Sequence, residues 1–397
     1  MTRRLAHAVS EPGLPWLLVA LLALGGCRSH EPLRDEDAPP TPRAAQTESQ
    51  AAGSHEEPAV VPARGPVTVL LGGDIDFGRL RGERLVREPG RNDFAPLERL
   101  FGQSDVRFAN LESTVSDLFD ADRRAPRPLV FTAPLAAAEA LARGRLDVVS
   151  LANNHAWDYG EEALTQTLDA LARTSVGAVG AGRTRAASRA PYLVAAKGLT
   201  LGFVAVTSAW NQSFDPHPGK DRIADDDPDE LAASIAEARR RGADRVIVSH
   251  HGGEEYVAEP SVRQRELARF AVDRGADVVV GHHAHVVQRT ARIDGKPVLY
   301  GLGNLLMRMV TPHPETELGA LARLTFREKD TLVELCPVRA SGLDVVVMAE
   351  AGQPSSDAAR FRGMLERLER AATRAPGERA TRLGEFDESG CAPLLER

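Results

Sequence analysis

Short apolar runs that stop at polar, ligand-type residues recur along this chain. Val67-Thr-Val-Leu-Leu71 leads into Gly72-Gly73-Asp74, Val148-Val-Ser-Leu-Ala152 into Asn153-Asn154-His155, and Gly202-Phe-Val-Ala-Val206 into Thr207-Ser208. Farther on, Arg245-Val-Ile-Val-Ser249 runs into His250-His251-Gly252, Asp277-Val-Val-Val280 into Gly281-His282-His283, and Val298-Leu-Tyr300 into Gly301-Leu-Gly-Asn304. Runs of this kind predict buried strands rather than half-exposed ones, which would alternate apolar with polar. Helical spacing fills the gaps, over residues 133–142, 161–174, 228–241 and 261–274. Strands alternating with helices predict an α/β domain with much parallel sheet. Ligand sites in such sheets form beyond the carboxyl ends of the strands, so polar residues far apart in sequence are expected on one rim.

The flanks follow different rules. Arg3 and Arg4 precede an uncharged run of 12 residues from Pro15 to Gly26, too short to span a bilayer and suited to a signal-peptide core. The run ends in Leu24-Gly25-Gly26-Cys27, which resembles the bacterial lipobox. That resemblance implies a leader over residues 1–26, lipid on Cys27, and a protein of the cell envelope tethered to a membrane and facing away from the cytoplasm. The other reading is a buried N-terminal helix with an inert cysteine. Residues 27–66 hold seven prolines among Ala, Glu, Ser and Gln with no apolar period, and are expected to form a disordered tether. The domain is expected to span 67–350. Beyond it, 351–397 becomes rich in Arg and Glu and reads as a charged surface helix over 357–373 and a polar tail.

Composition sharpens this outline. The chain has 397 residues, 43% hydrophobic and 26% charged, which excludes collagen-like, wholly disordered and disulfide-dense classes. Its net charge of −7 argues against a nucleic-acid partner. With Cys27 lipidated, only Cys336 and Cys391 remain, an even pair in an oxidising compartment. They read either as a bridge tying the C-terminal segment to the core or as two free thiols.

Of eleven histidines, six follow strands: His155, His250, His251, His282, His283 and His285. Asp74 and Asp76, Asn110 and Glu112, and Asn153, Asn154 and Asp158 accompany them. Mixed imidazole and carboxylate ligands suit one or two divalent ions such as Mn, Zn or Fe, and a bound pair of that kind activates water. His7, His30, His55, His217 and His313 stand outside these clusters and read as surface residues. Arg79, Arg81, Arg84, Arg87 and Arg91, with Arg123, Arg124 and Arg127, read either as a positive rim for an anionic substrate or as a solvated face.

Together these segments resemble the CapA family of poly-γ-glutamate capsule biosynthesis proteins. The resemblance is carried by Gly73-Asp-Ile-Asp-Phe-Gly-Arg79, Ala109-Asn-Leu-Glu112, Leu151-Ala-Asn-Asn-His-Ala-Trp-Asp-Tyr-Gly160, Ser249-His-His-Gly-Gly-Glu-Glu-Tyr256, the segment 275–288 with Gly281-His-His-Ala-His285, and Tyr300-Gly-Leu-Gly-Asn304. It covers residues 67 to 344. It implies a calcineurin-like metallophosphoesterase fold: a four-layer αββα sandwich in a single large domain. It further implies metal ligation by Asp74, Glu112, Asn154, His251, His283 and His285, with His155 as the acid. Arg79, Asn110, Asp158 and Tyr256, in the same motifs, are expected to contact substrate. Two departures stand out. Asp76 replaces the apolar residue usual in relatives; it either restores a ligand that most relatives lack or faces solvent, and is counted here with the ligands. Gly252 and Gly253 follow His251 where relatives tend to have Trp-Gly, which is expected to open space beside the site. The implied work is synthesis or export of an anionic polymer such as poly-γ-glutamate, within a capsule synthesis complex, with hydrolysis of a γ-glutamyl amide or phosphoester. A stand-alone envelope phosphoesterase and a non-catalytic polymer-binding subunit are the alternatives.

Overall fold

In the computed structural model, the first strand, β1 (Val67–Ile75), sends its side chains into two cores. Val67, Val69 and Leu71 point into one, and Leu70 into another. The structure describes residues 65–120, 129–211, 220–309, 313–328, 330–350, 353–354 and 356–396. The leader, Cys27, the tether up to residue 64, His7, His30, His55, His217, Arg123, Arg124 and Arg127 lie outside the described residues.

The following strands are β2 (Val106–Leu111), β3 (Thr114–Val115), β4 (Thr132–Ala133), β5 (Val148–Ser150), β6 (Gly177–Val179), β7 (Tyr192–Ala196), β8 (Leu199–Thr207), β9 (Arg245–His251) and β10 (Val278–His282). Then come β11 (Thr290–Ile293), β12 (Lys296–Leu299), β13 (Asn304–Leu306), β14 (Leu318–Phe326), β15 (Thr331–Ser341), β16 (Asp344–Val347), β17 (Ala349–Glu350), β18 (Gln353–Pro354), β19 (Glu378–Leu383) and β20 (Ala392–Glu396). The helices are α1 (Arg79–Arg87), α2 (Glu98–Gly102), α3 (Ala136–Arg143), α4 (Gly160–Ala172), α5 (Arg185–Arg189), α6 (Pro228–Arg240), α7 (Val262–Asp273) and α8 (Ser356–Ala371). The four helices expected from spacing are α3, α4, α6 and α7. Asp227 starts α6 by accepting from two backbone amides, and Ser261 with Gln264 closes a capping box on α7.

Fourteen strands form one path, β6-β5-β2-β1-β14-β15-β20-β19-β11-β12-β10-β9-β8-β7, with β13 paired to β1 and β16 to β15, while β3-β4 and β17-β18 pair separately. The path holds two parallel stretches, β6-β5-β2-β1 and β12-β10-β9-β8; the stretch between them is antiparallel, and β7 closes the far edge antiparallel to β8. Alternation divides the apolar residues into three cores. Val106, Phe108, Val148, Phe203, Ile247, Val278 and Val280 fill a central core shared by both halves. Ala109 and Val149 face α3 and α4 on one side, while Val204, Val248 and Val279 face α6 and α7 on the other. Two sheets back to back, each covered by helices, make the expected four-layer αββα sandwich.

The C-terminal segment differs from its reading as a surface helix and polar tail. The described residues from 65 to 396 cluster as one unit, so those beyond 350 belong to the same body as 67–350. Helix α8 buries Phe361, Met364 and Leu365 in the central core, and β19 and β20 join the two parallel halves. Its stripe at 358, 361, 365 and 368 is helical in spacing but diluted by Arg and Glu. Cys336 of β15 is bonded to Cys391 just before β20. Nearby, Arg289 is 1% exposed, donates to Glu378 and Glu259, and lies over the Tyr300 ring.

Close backbone approach is built in at Gly281. A Cβ there would sit 1.9 Å from the Tyr300 carbonyl oxygen on neighbouring backbone. No rotamer relieves a backbone clash, so Gly281→Ala is expected to destabilise the domain by about 3 kcal/mol. Urea denaturation checks this; an unchanged midpoint contradicts the close approach.

Candidate metal centre

The register of the two parallel halves collects the site. In β1, Asp74 lies level with Asn110 of β2 and Asn304 of β13. In the other half, His251 at the end of β9 is level with His282 at the end of β10. After β10 the chain turns through residues held in the left-handed region, His283 (φ 89°) and His285 (φ 55°). Such conformations are costly for side-chain-bearing residues and cluster at functional sites.

Glu112 is the centre of the cluster. Its Oε1 lies 3.6 Å from His285 Nε2, 3.7 Å from His251 Nε2 and 3.9 Å from His155 Nε2. It is buried and has no hydrogen-bond partner among the described residues. Three imidazole nitrogens thus converge on one carboxylate oxygen, each beyond hydrogen-bonding distance. Asp74 is fully buried beside it, 3.3 Å from both His282 Nδ1 and His285 Nδ1, and accepts from Asn110 Nδ2 at 2.9 Å. Among the described residues, two groups bring ligand atoms within 4.8 Å of one another: Glu112, His251 and His283, and Asp74, Glu112 and His285. Asn154 adds an oxygen, its Oδ1 lying 2.8 Å from His251 Nε2.

The charges are arranged for ligation. Burial pushes Asp74 up, but His282 and His285 outweigh it and hold it well below the usual carboxylate range. Burial drives Glu112 well above its ordinary value, and the negative charge of Asp74 adds to this. Burial lowers His283 to about 4 and His251 well below its ordinary value, keeping both imidazoles neutral, the form that binds metal. An orphaned carboxyl oxygen of Glu112, the neutral imidazoles of His251 and His283, and the charged Asp74 in one buried space fit a divalent cation.

A supporting layer fixes these groups. His285 Nδ1 meets Asn304 Oδ1 at 3.1 Å, which leaves Nε2 toward Glu112. Asn154 Nδ2 donates to Asn211 Oδ1 at 2.9 Å, so Asn154 turns its oxygen inward. Asn153 donates to Asn110 Oδ1 and to the Leu111 carbonyl. His155 Nδ1 meets Asp158 Oδ2 at 2.6 Å, leaving Nε2 on the side of Glu112.

Several expectations change here. Asn110 was expected to contact substrate, but it is fully buried and spends its amide on Asp74 and Asn153. Asp158 likewise sits behind His155, accepting from the Phe131 amide and Asn211. Asp76 falls in neither ligand group: its Oδ1 accepts from the Gly78 amide at 2.6 Å. Its side chain lines a neighbouring cavity of about 230 Å³ with Arg79, Arg81 and Arg308. Tyr256 is half-buried, its ring 6.3 Å from His285 and stacked at 5.3 Å on His313, which brings His313 to the site rather than leaving it a remote surface residue. Gly252 does not open the expected space, because a Cβ there would meet Ser208 Oγ at 2.0 Å and His250 Nε2 at 2.7 Å. The arginines divide: Arg79 and Arg81 border the cavity, whereas Arg84 and Arg91 are tied to Asp93 and Asp344 and Arg87 is exposed. Asn153 and His282 stand in the strand-end clusters and Asn304 closes a motif, yet the sequence assigns none of them a role at the site; Asn211 follows no such signal.

Residues 68–309 match the sequence profile of the family described as "Bacterial capsule synthesis protein PGA_cap". The chain is 31% identical over 236 residues to the "PGA biosynthesis protein CapA" of Bacillus subtilis, covering 59% of this chain and 61% of that one. It is 30% identical over 275 residues to the "Capsule biosynthesis protein CapA" of Bacillus anthracis, covering 67% and 66% respectively. It therefore spans between three fifths and two thirds of the length of these relatives. The solved calcineurin-like phosphoesterase YfkN of Bacillus subtilis overlays with a TM-score of 0.46 at 12% identity, over 76% of this chain and 97% of that one.

Proposed function

We propose, because the chain belongs to the bacterial capsule synthesis protein PGA_cap family, that it is a metal-dependent hydrolase of the cell envelope acting on an anionic polymer of the poly-γ-glutamate type. The observation that carries this reading is the Glu112 oxygen facing three imidazoles without a hydrogen bond. Asp74, Glu112, Asn154, His251, His283 and His285 would hold one or two divalent ions, Mn, Zn or Fe. Bound there, the metal polarises the carbonyl or phosphoryl oxygen of the scissile group and makes water a stronger nucleophile at neutral pH.

The remaining work falls to the chain. His155 hands a proton from Nε2 to the leaving group, while Asp158 holds its Nδ1 and steadies the ring. Arg79 offers a cation beside His155: its guanidinium stacks 4.3 Å over Phe131, whose ring lies 4.1 Å from the His155 ring. The surrounding apolar strands keep water out, which strengthens each of these interactions.

The anchoring of the protein is part of the same proposal. The leader pattern and the lipobox-like Leu24-Gly25-Gly26-Cys27 support a lipid at Cys27. The Cys336–Cys391 bond suits an oxidising compartment outside the cytoplasm. No helix among the described residues is long and apolar enough to cross a membrane. The pathway named for the relatives supports association with a capsule synthesis complex.

Metal analysis of the purified protein, followed by assays of γ-glutamyl amide and phosphoester cleavage, tests the reading. The wild type is expected to carry divalent metal and to cleave one of the two bonds. Asp74→Ala and His251→Ala are each expected to lower bound metal and to cut the rate by at least about a hundredfold. Metal-free protein without either activity overturns it. Metal-loaded protein that cleaves neither bond leaves a polymer-binding subunit instead.

A further inference from the structure

The cavity beside the metal centre mixes charges in a way that a plain anion site does not. Asp76, Gly78, Arg79, Arg81, Arg308 and Leu343 border about 230 Å³ of space. Arg81 is 4% exposed and donates to the Leu343 carbonyl, and Asp76 is 7% exposed. Gly78 keeps the wall open, since a Cβ there would lie 2.9 Å from Asp76 Oδ1. Burial lowers Arg81 to about 10, which leaves it a cation at neutral pH. Arg79 is held with φ of 53° at the start of α1 and reaches His155 through the Phe131 ring.

Three arginines favour a carboxylate. Asp76 offsets part of the charge of Arg79 and Arg81 in the same wall, and it repels a ligand that carries only carboxylate or phosphate. A ligand carrying an ammonium next to its carboxylate satisfies both signs. In a γ-linked glutamate polymer every internal α-nitrogen is an amide; only the amino-terminal residue carries an α-ammonium and an α-carboxylate on one carbon. We propose that this cavity binds the amino-terminal residue of the polymer, the α-carboxylate beside the arginines and the α-ammonium beside Asp76. This rests on the polymer reading above and adds that one chain end is recognised. Asp76 thereby acquires a role outside the ligand set.

The test is calorimetric titration of the full-length protein with the dipeptide γ-glutamylglutamate and with its N-acetylated form, in EDTA so that the metal centre takes no part. The free dipeptide is expected to bind at least tenfold more tightly than the acetylated one. Asp76→Asn is expected to abolish that preference, and Arg79→Gln to weaken both ligands. Equal affinity of wild-type protein for the two forms overturns the proposal, as does no binding of the free dipeptide, and neither result depends on a variant folding. Inorganic phosphate that displaces the dipeptide equally well from wild type and Asp76→Asn also overturns it. Metal content and hydrolysis, read on the same preparation without EDTA, separate the two ideas. Hydrolysis without end preference counts against the end-group site alone, and end preference without metal or hydrolysis counts against the hydrolase alone.

Discussion

Reduction of the Cys336–Cys391 bridge is expected to cost the fold about 4 kcal/mol. The bond closes a loop with a sequence separation of 55, and the chain-entropy relation for a loop of that size gives about this value. Both sulfurs are fully buried, and the bond stands beside the register Glu334↔Pro393 and Leu335↔Ala392 that holds β20 to β15. Loosening it releases the strand through which β15 reaches β19 and the second half of the sheet. Urea denaturation with and without a thiol reductant reads the effect, and the Cys336→Ala/Cys391→Ala double variant supplies a second measurement. A midpoint that does not move under reduction contradicts the prediction.

A second large effect is expected at Glu378. Glu378 of β19 and Arg289 at the edge of β11 form an ion pair in which both side chains are almost wholly shielded from water. Glu378 also accepts from the Ala375 amide at 2.9 Å, and this places the turn into β19. Glu378→Ala leaves a buried guanidinium whose remaining hydrogen-bond partners among the described residues are Glu259 and the Thr373 carbonyl, and is expected to destabilise by about 3–5 kcal/mol. The double replacement Arg289→Met/Glu378→Leu is expected to recover most of that loss, because removing both charges also removes their desolvation cost. Denaturant unfolding of the three proteins decides the matter. A single-variant loss below about 1 kcal/mol marks the pair as solvated and of the weak surface kind.

Both effects lie in the region where local patterning fails. Residues 378–383 bury Glu378, Thr381 and Leu383 and expose Arg379 and Arg382, a short and charged segment with no clean alternation, so it reads as a tail. What makes it a strand is a partner far away in sequence, Ala380 beside Ala291 of β11. The same holds for the cysteines, whose pairing depends on β15 and β20 lying side by side.

Within the site the division follows the same physical line. Sequence alone determined the buried strands β1, β5, β8, β9, β10 and β12, because a continuous apolar run is legible wherever it falls, whereas β2, β14 and β15 show no such run into ligand residues. It also determined that the polar residues after those strands would share a rim, because parallel strands deliver their carboxyl ends to one edge. Asp74, Glu112, Asn154, His155, His251, His283 and His285 are the residues that the structure gathers there. Tertiary structure decided which neighbour of each faces inward. Asn110 and Asp158 turned out to hold other residues, Asp76 turned to the arginine-lined cavity, and Asn211 reached Asn154 across a separation of 57 residues. Hydrophobic periodicity is a local property of the chain. The direction of a buried polar side chain is set by the one partner that can satisfy it, and that partner is known only once the sheets have closed on each other.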